Sequence, residues 1–271
     1  MNKKMMKDNI SIVGAGNLGL SLAKGLVESG EFNPQQFKLS RRRIEKLNVM
    51  AKMGYHVFND NRLAVENTNI VVLAVLPQKI NEVLQEIKNN LDSETILISL
   101  VSGVEICNIS SIIGDQIPIV RAMPNTAISI RESMTCVTTI QKWEHHLDKV
   151  KSIFDHVGET AIINEEKMTS ATALCACGIA FFLRSIRAAS QGGNEIDFHA
   201  SEALKMAAQT AKGAASLLLE NNSHPEDEID KVTSPKGCTI AGLNEMEHNG
   251  FSSAFIKGIT ISADKAKHLY E

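Results

Sequence analysis

The chain has 271 residues, enough for one large domain or two ordinary ones. Hydrophobic residues make up 44% and charged residues 22%, which suits a buried core under a solvated surface, and the formal net charge of -3 speaks against a nucleic-acid partner. The five cysteines (Cys107, Cys136, Cys175, Cys177 and Cys238) have no framework spacing, so a reducing cytoplasm is expected and a disulfide scaffold is not. Cys175-x-Cys177 lacks a histidine at ligand spacing, so no metal site is expected. Residues 1–8 are basic but no apolar h-region follows them, which argues against a signal peptide. The most apolar segment, residues 171–183, is too short to span a bilayer and ends at Arg184, so no membrane span is expected.

Taken in chain order, Ile10-Ser11-Ile12-Val13 predicts a buried strand, and a helix is predicted over 20–29. Between them lies Gly14-Ala15-Gly16-Asn17-Leu18-Gly19, a G-x-G-x-x-G run in the context that gives it meaning. Its glycines allow the tight turn, the approach of a pyrophosphate and close packing of helix on strand. The next strand, over 37–40, ends in Ser40-Arg41-Arg42-Arg43, where an NAD-binding domain usually carries Asp or Glu for the ribose 2′-hydroxyl. Three arginines at a helix start oppose the helix dipole unless an anion sits among them. A 2′-phosphate is the natural anion, so NADPH is the expected cofactor and NADH stays open. The plain alternative is a solvated basic turn.

Strands are predicted over 55–58, 69–75, 95–100 and 117–121, with helices over 80–90 and 104–113. Apolar strands alternating with helices mean a parallel sheet covered on both faces, and ligands then sit beyond the carboxyl ends of its strands. Ala74-Val75-Leu76-Pro77, residues 99–103 and Met123-Pro124-Asn125-Thr126 are therefore expected around one crevice. A shorter unit follows, with strands over 135–139 and 161–163 about a helix over 143–155.

Beyond residue 164 the strand signal stops, and long helices are predicted over 165–190, 200–220 and 254–270. They are rich in alanine, with Gly178 and Gly213 inside them at a cost of about 1 kcal/mol each against alanine. Small residues let helices approach closely, and so few residues struggle to hide every apolar face, so a homodimer through this half is expected. The expected fold class is α/β: an N-terminal Rossmann-type doubly wound parallel sheet over 1–164, then an all-helical dimerisation domain over 165–271. The acidic run from Pro225 to Asp230 suits the first turn of a helix.

Thr233-Ser234-Pro235-Lys236-Gly237-Cys238-Thr239 leads into a short helix ending near Asn249-Gly250. Free N–H groups at a helix start make an anion site, Gly237 admits a ligand close to the backbone, and Ser234 and Thr239 add hydroxyls. The plain alternative is an ordinary capped helix after a proline turn. A hydride carrier needs a C=O or C=N bond to reduce, and carbonyl reduction usually needs a proton donor. The helical half has no such donor in an evident motif; in particular it has no Lys-x-x-Asn. Hydroxyls and N–H groups suit a substrate that is already cationic and carries a carboxylate, as a protonated cyclic imine acid does.

Four motifs carry a resemblance to the Δ1-pyrroline-5-carboxylate reductase family: Ile12-Val13-Gly14-Ala15-Gly16-Asn17-Leu18-Gly19, Leu73-Ala74-Val75-Leu76-Pro77-Gln78, Val120-Arg121-Ala122-Met123-Pro124-Asn125-Thr126, and the run from Val232 to Leu243. They stand in the family's order and cover nearly the whole chain, and the last is the most specific. The resemblance implies reduction of 1-pyrroline-5-carboxylate to L-proline by NAD(P)H. It implies that the backbone N–H groups of Cys238 and Thr239, beside Gly237 and Ser234, take the substrate carboxylate. The Thr239 hydroxyl would approach the ring nitrogen, and Ser234 stands with it as a catalytic candidate. Cofactor contacts are implied from Gly16 to Leu18, from Ser40, Arg41 and Asn61, and from Ala74 to Pro77. Gly14, Ala15, Arg42, Met123 and Asn125 complete that set. The family dimerises through its C-terminal helices, and some members build larger rings.

The chain departs from the family pattern in places. Leu76 stands where a lysine is common, and Lys236 stands where a glycine is common. Cys175-Ala176-Cys177-Gly178-Ile179 replaces a Gly-Ser-Gly-Pro turn, which removes a helix-stopping proline and a hydroxyl. A reductase of another cyclic imine acid or small oxo acid, and a non-catalytic NADP-binding sensor, remain as alternatives.

Overall fold

The computed structural model describes Met6 and residues 8–270, so most of the basic stretch 1–8 lies outside the described residues. The chain forms two compact units. One comprises the chain up to Cys177 together with the residues from Ser262 onward, and the other spans Gly178–Ile261.

In the first unit the chain runs β1 (Ile10–Val13), α1 (Asn17–Glu28), β2 (Phe37–Ser40), α2 (Asn48–Lys52), β3 (His56–Phe58), α3 (Asn61–Val65) and β4 (Ile70–Leu73). It continues through α4 (Ile80–Ile87), β5 (Ile96–Ser99), α5 (Ile106–Ile113), β6 (Ile119–Met123), β7 (Ser133–Thr138), α6 (Leu147–Asp155), β8 (Gly158–Ile162) and α7 (Met168–Ala171). The eight strands form one sheet in the order β3-β2-β1-β4-β5-β6-β7-β8. Side chains alternate between its faces as the period of a strand requires. Ile12, Val72, Ile98 and Val120 join the core on one face, while Val13, Val71, Leu73, Leu97 and Ile119 join the core on the other.

Strands β3 to β6 pair in parallel, and so do β7 and β8. The pair β6–β7 is antiparallel, with Ala122 opposite Val137, so the sheet is not parallel throughout. Only a 3-10 turn over Thr126–Ile130 and a few flanking residues join these two strands. A parallel return needs a crossover of a dozen or more residues, so a connection this short reverses the chain. The five-residue helix α3 is also beyond what periodicity reveals; the Asp60 carboxylate caps it by accepting the Arg62 N–H at 2.9 Å.

Register decides where ligands can sit. Val13 is level with Ser40 and with Leu73, Leu73 with Ser99, and Ser99 with Arg121. The carboxyl ends of β2, β1, β4, β5 and β6 therefore open on one edge, with the reversal of strand order between β1 and β4.

Helical structure runs without a break over Glu165–Glu195, through a π-helical turn at Thr172–Cys177. This agrees with the loss of the family's proline from that segment. The whole helix, unlike residues 171–183 alone, is long and apolar enough to cross a membrane by length and composition, and only 22% of its apolar window is buried.

The second unit holds α8 (Gly178–Glu195), α9 (Ala200–Asn221), α10 (Pro225–Lys231), α11 (Cys238–His248) and most of α12 (Phe251–Lys267). Pro225 opens α10, and Glu226, Asp227 and Glu228 fill its first turn, as the dipole favours. The close approach of α8 to α9 occurs where a Cβ on Gly193 would meet that of Ala203 at 2.9 Å, whereas Gly213 faces open space. Phe181, Phe182 and Phe251 pack their rings about Phe255 at centroid distances of 5.4 to 6.1 Å.

Candidate active site

The glycine run turns sharply at the end of β1. Gly14 has φ +88°, and a Cβ there would meet the Ala74 carbonyl oxygen at 2.6 Å. The N–H groups of Gly14 and Ala15 both donate to the Ser40 carbonyl, at 3.2 and 2.9 Å, while Ala74 N–H donates to the Val13 carbonyl at 2.8 Å. Three strand ends are thereby tied to one turn. Gly16 caps α1 without a side-chain partner, and Asn17 and Leu18 open the helix. A Cβ on Gly16 would find only the Gly14 carbonyl, at 3.8 Å. A helix start with free N–H groups and no side chain over it fits a dinucleotide pyrophosphate.

Basic side chains gather beside this turn. Arg41 Nη1 donates to the Ala15 carbonyl at 3.3 Å. Arg42 pairs with Glu82 at 2.6 Å, and Lys79 pairs with the same carboxylate at 2.9 Å. Hydrogen bonding from Lys79, aided by the Arg42 charge, holds the Glu82 carboxyl below the usual carboxylate range. The Arg42 and Glu82 side chains are 71% and 54% exposed. Solvent screens a pair this exposed, so an incoming phosphate can take Arg42 at little cost. Arginines Arg42 and Arg43 stand in the loop before a 3-10 turn at Ile44–Leu47, one turn ahead of α2. Ser40 is fully buried, and its hydroxyl donates to Asn61 Oδ1 at 2.7 Å. Asn61 Nδ2 in turn donates to Glu86 Oε2 at 2.8 Å.

Gly14 to Leu18, Ser40 to Arg42, Asn61 and the run from Ala74 to Pro77 are thus assembled at one edge of the first unit. Leu76 is 70% exposed there, and Pro77 begins a 3-10 turn that carries Lys79. Lys79, Glu82 and Glu86 were missed from sequence. The usable signal was their spacing on the helix after Pro77, which turns residues 79, 82 and 86 to one face.

Met123 is buried at the end of β6, and its sulfur accepts from the Ser102 hydroxyl at 3.8 Å. Asn125 is committed to the fold. Its Oδ1 accepts the Ala127 N–H at 3.0 Å, its Nδ2 donates to the Cys175 carbonyl at 3.3 Å, and its own N–H donates to the Ser133 hydroxyl at 3.0 Å.

In the second unit Ser234, Pro235, Lys236 and Gly237 form a turn closed by Gly237 N–H on the Ser234 carbonyl at 2.9 Å. Lys236 has φ +58°, at the turn position where glycine is favoured, so the family's glycine has a backbone reason that lysine meets under strain. Its side chain is exposed. Gly237 caps α11 with no side-chain partner, and a Cβ there would meet Ser234 Oγ at 2.5 Å. Only glycine lets that hydroxyl stand over the helix start. Cys238 and Thr239 open the helix, so their N–H groups have no intrahelical acceptor. Among the described residues, neither Ser234 Oγ nor Thr239 Oγ1 has a hydrogen-bond partner. Two free hydroxyls and two free N–H groups suit a carboxylate beside a polar ring. No group of three His, Cys, Asp or Glu side chains converges as a metal site among the described residues.

A dinucleotide turn on a doubly wound sheet, followed by a helical unit, defines a nicotinamide-dependent oxidoreductase. Residues 165–269 match the family profile described as pyrroline-5-carboxylate reductase dimerisation, and residues 9–103 match that described as NADP oxidoreductase, coenzyme F420-dependent. The chain is 50% identical to pyrroline-5-carboxylate reductase 1 of Dictyostelium discoideum over 98% of its own length, and spans 51%, about half, of that relative. It is 48% identical to pyrroline-5-carboxylate reductase 2 of the same organism, covering 95% of this chain and 92% of that one. Among solved structures it is similar in fold to the NADP-bound pyrroline carboxylate reductase of Plasmodium falciparum, with a TM-score of 0.90, 24% identity, and coverage of 98% and 100%. The chain belongs to the pyrroline-5-carboxylate reductase family.

The replaced turn brings a thiol pair into the first unit. Cys136 and Cys175 sulfurs lie 3.9 Å apart. A hydrogen bond from Cys136 stabilises the Cys175 thiolate and lowers its pKa, while the same bond and burial push the Cys136 thiol up. Burial and the Glu105 carboxylate push Cys107 up as well. The Cys175 thiolate is therefore present at lower pH than either. Iodoacetamide labelling followed by peptide mass spectrometry across pH is expected to modify Cys175 at a lower midpoint than Cys107, and Cys136→Ala is expected to move that midpoint upward.

Proposed function

We propose that this chain reduces 1-pyrroline-5-carboxylate to L-proline with NADPH as the preferred cofactor and NADH as a weaker one. The observation that carries the reading is the start of α11, where Ser234 Oγ, Thr239 Oγ1 and the N–H groups of Cys238 and Thr239 have no partner among the described residues. Family membership and the open glycine turn support it. When bound, the cofactor supplies a hydride to the carbon of the C=N bond, and the ring nitrogen, protonated beforehand, keeps its proton and takes the electron pair.

The chain's own residues have modest chemical work to do. The N–H groups of Cys238 and Thr239, with the helix dipole behind them, hold the substrate carboxylate. Thr239 Oγ1 hydrogen-bonds the ring nitrogen and fixes the face of the ring that is presented, while Ser234 Oγ orients the carboxylate. Gly14 to Leu18 hold the pyrophosphate, and Arg41 and Arg42 take the 2′-phosphate. Ala74 to Pro77 and Met123 shape the crevice, with Asn125 supporting it. Orientation of a reactive pair, rather than a positioned acid, is the main contribution.

The assembly we infer is a homodimer through the helical half. Phe182, Ile256 and Ile261 are 58%, 61% and 67% exposed, and α8 and α9 line a largely apolar cavity of about 880 Å³. A face of that size calls for cover, and a second copy of the chain supplies it. The five free cysteines accord with a reducing cytoplasm.

Three measurements test this reading. Oxidation of NADPH followed by absorbance with 1-pyrroline-5-carboxylate is expected to be fast, and Thr239→Ala is expected to lower kcat by about 10²-fold while NADPH binding stays within about twofold. Turnover equal to wild type would remove Thr239 from the mechanism, and NADPH binding without any turnover in the wild type would favour a sensor. Replacing Arg41 and Arg42 together by alanine is expected to raise the KM for NADPH about tenfold or more and that for NADH little. Sedimentation at micromolar concentration is expected to give a dimer, and monomer alone would overturn the assembly.

A further inference from the structure

We infer that Ser40 and Glu86 are positioning residues that together lock the Asn61 carboxamide, so that its remaining N–H is a fixed donor toward the ribose–phosphate of the cofactor. This rests on the nucleotide reading above and assigns a different part to Ser40, which is fully buried and so offers no surface to a ligand.

The orientation of Asn61 follows from the chemistry of its neighbours. The Glu86 carboxylate only accepts hydrogen bonds, so the atom facing Oε2 at 2.8 Å is the amide nitrogen. The amide oxygen must then face Ser40, 2.7 Å away, and the Ser40 hydroxyl proton is used to meet it. Both ends of a planar group are held, and a flip would set the amide oxygen against the Glu86 carboxylate, two acceptors face to face. Nδ2 carries a second hydrogen, and no described residue accepts it. Asn61 is half-buried at the start of α3, beside the turn that Arg41 covers. A donor held there suits the oxygens of a ribose or of a 2′-phosphate.

The clamp spans three elements. Ser40 ends β2, Asn61 opens α3 and Glu86 lies on α4. The Ser40 carbonyl also holds the N–H groups of Gly14 and Ala15, so one residue ties the pyrophosphate turn to the ribose donor. Placing a carboxylate near an anionic cofactor looks unfavourable by charge alone. Loss of that carboxylate weakens NADPH binding if it positions Asn61 and tightens it if it only repels the phosphate.

The test uses full-length protein and the fluorescence of bound NADPH and NADH, with thermal unfolding as the check on folding. Glu86→Ala is expected to raise the Kd for NADPH about tenfold. Glu86→Gln, whose amide oxygen can accept the same bond, is expected to bind within about twofold of wild type. The kcat at saturating NADPH is expected to be unchanged in both. In an Asn61→Ala background, Glu86→Ala is expected to add nothing further. Equal or tighter binding by Glu86→Ala would overturn the inference, as would a Glu86→Gln variant as weak as Glu86→Ala. A wild-type chain that bound neither nucleotide would overturn both this inference and the reading beneath it.

Discussion

The first unit depends on the junction where the Ser40 carbonyl accepts two N–H groups from the glycine turn and Gly14 lies against the Ala74 carbonyl. Three parallel strands end level there because β1 pairs with both β2 and β4 in the same register. A side chain at position 14 would drive into backbone, which has nowhere to move, and the strand ends would separate. Register, turn and free helix start are therefore one constraint. It explains why the turn, the arginines and the Ala74 to Pro77 segment share an edge though they lie far apart in sequence.

The second unit is governed by the opposite condition, apolar surface left over. Its helices are long, yet few of their side chains are buried, Ser190 and Ala203 among them. Alanine and glycine build helices that pack closely but supply little volume for a core of their own. Such a unit leaves apolar side chains such as Phe182, Ile256 and Ile261 exposed. Small residues also shape the start of α11, where Gly237 admits the Ser234 hydroxyl. Chemistry that relies on orientation needs an open, polar and fixed surface more than it needs a strong acid.

The departures from the family pattern have physical readings. Lys236 occupies a left-handed turn position at some strain, with its charge in solvent. Leu76 is exposed and uncharged, while Lys79 engages Glu82 beside Arg42. Cys175 lies in a π-helical turn, in a helix that continues where the family turns. All of them leave Ser234 and Thr239 in the sequence.

Much of the fold is legible in the amino-acid sequence. Strand periodicity, the glycine run between strand and helix, and the hydroxyl-rich loop before α11 are local signals, because each depends on side chains a few residues apart. The reversal at β7 was not legible, since it depends on how short a connection becomes once both strands are placed. Nor was α3, whose five residues are too few for a period to emerge. The part played by Ser40 shows the limit most clearly: sequence marks it as the residue before three arginines, and only packing shows that it is buried. Asn61, Glu86 and Ser40 are separated by more than twenty residues in each step, and hydrogen bonds between such residues exist only once the sheet has brought α3 and α4 to the end of β2. Patterning along the chain determines which elements form and which chemistry they carry; tertiary packing decides which polar atoms are spent on one another and which remain free for a ligand.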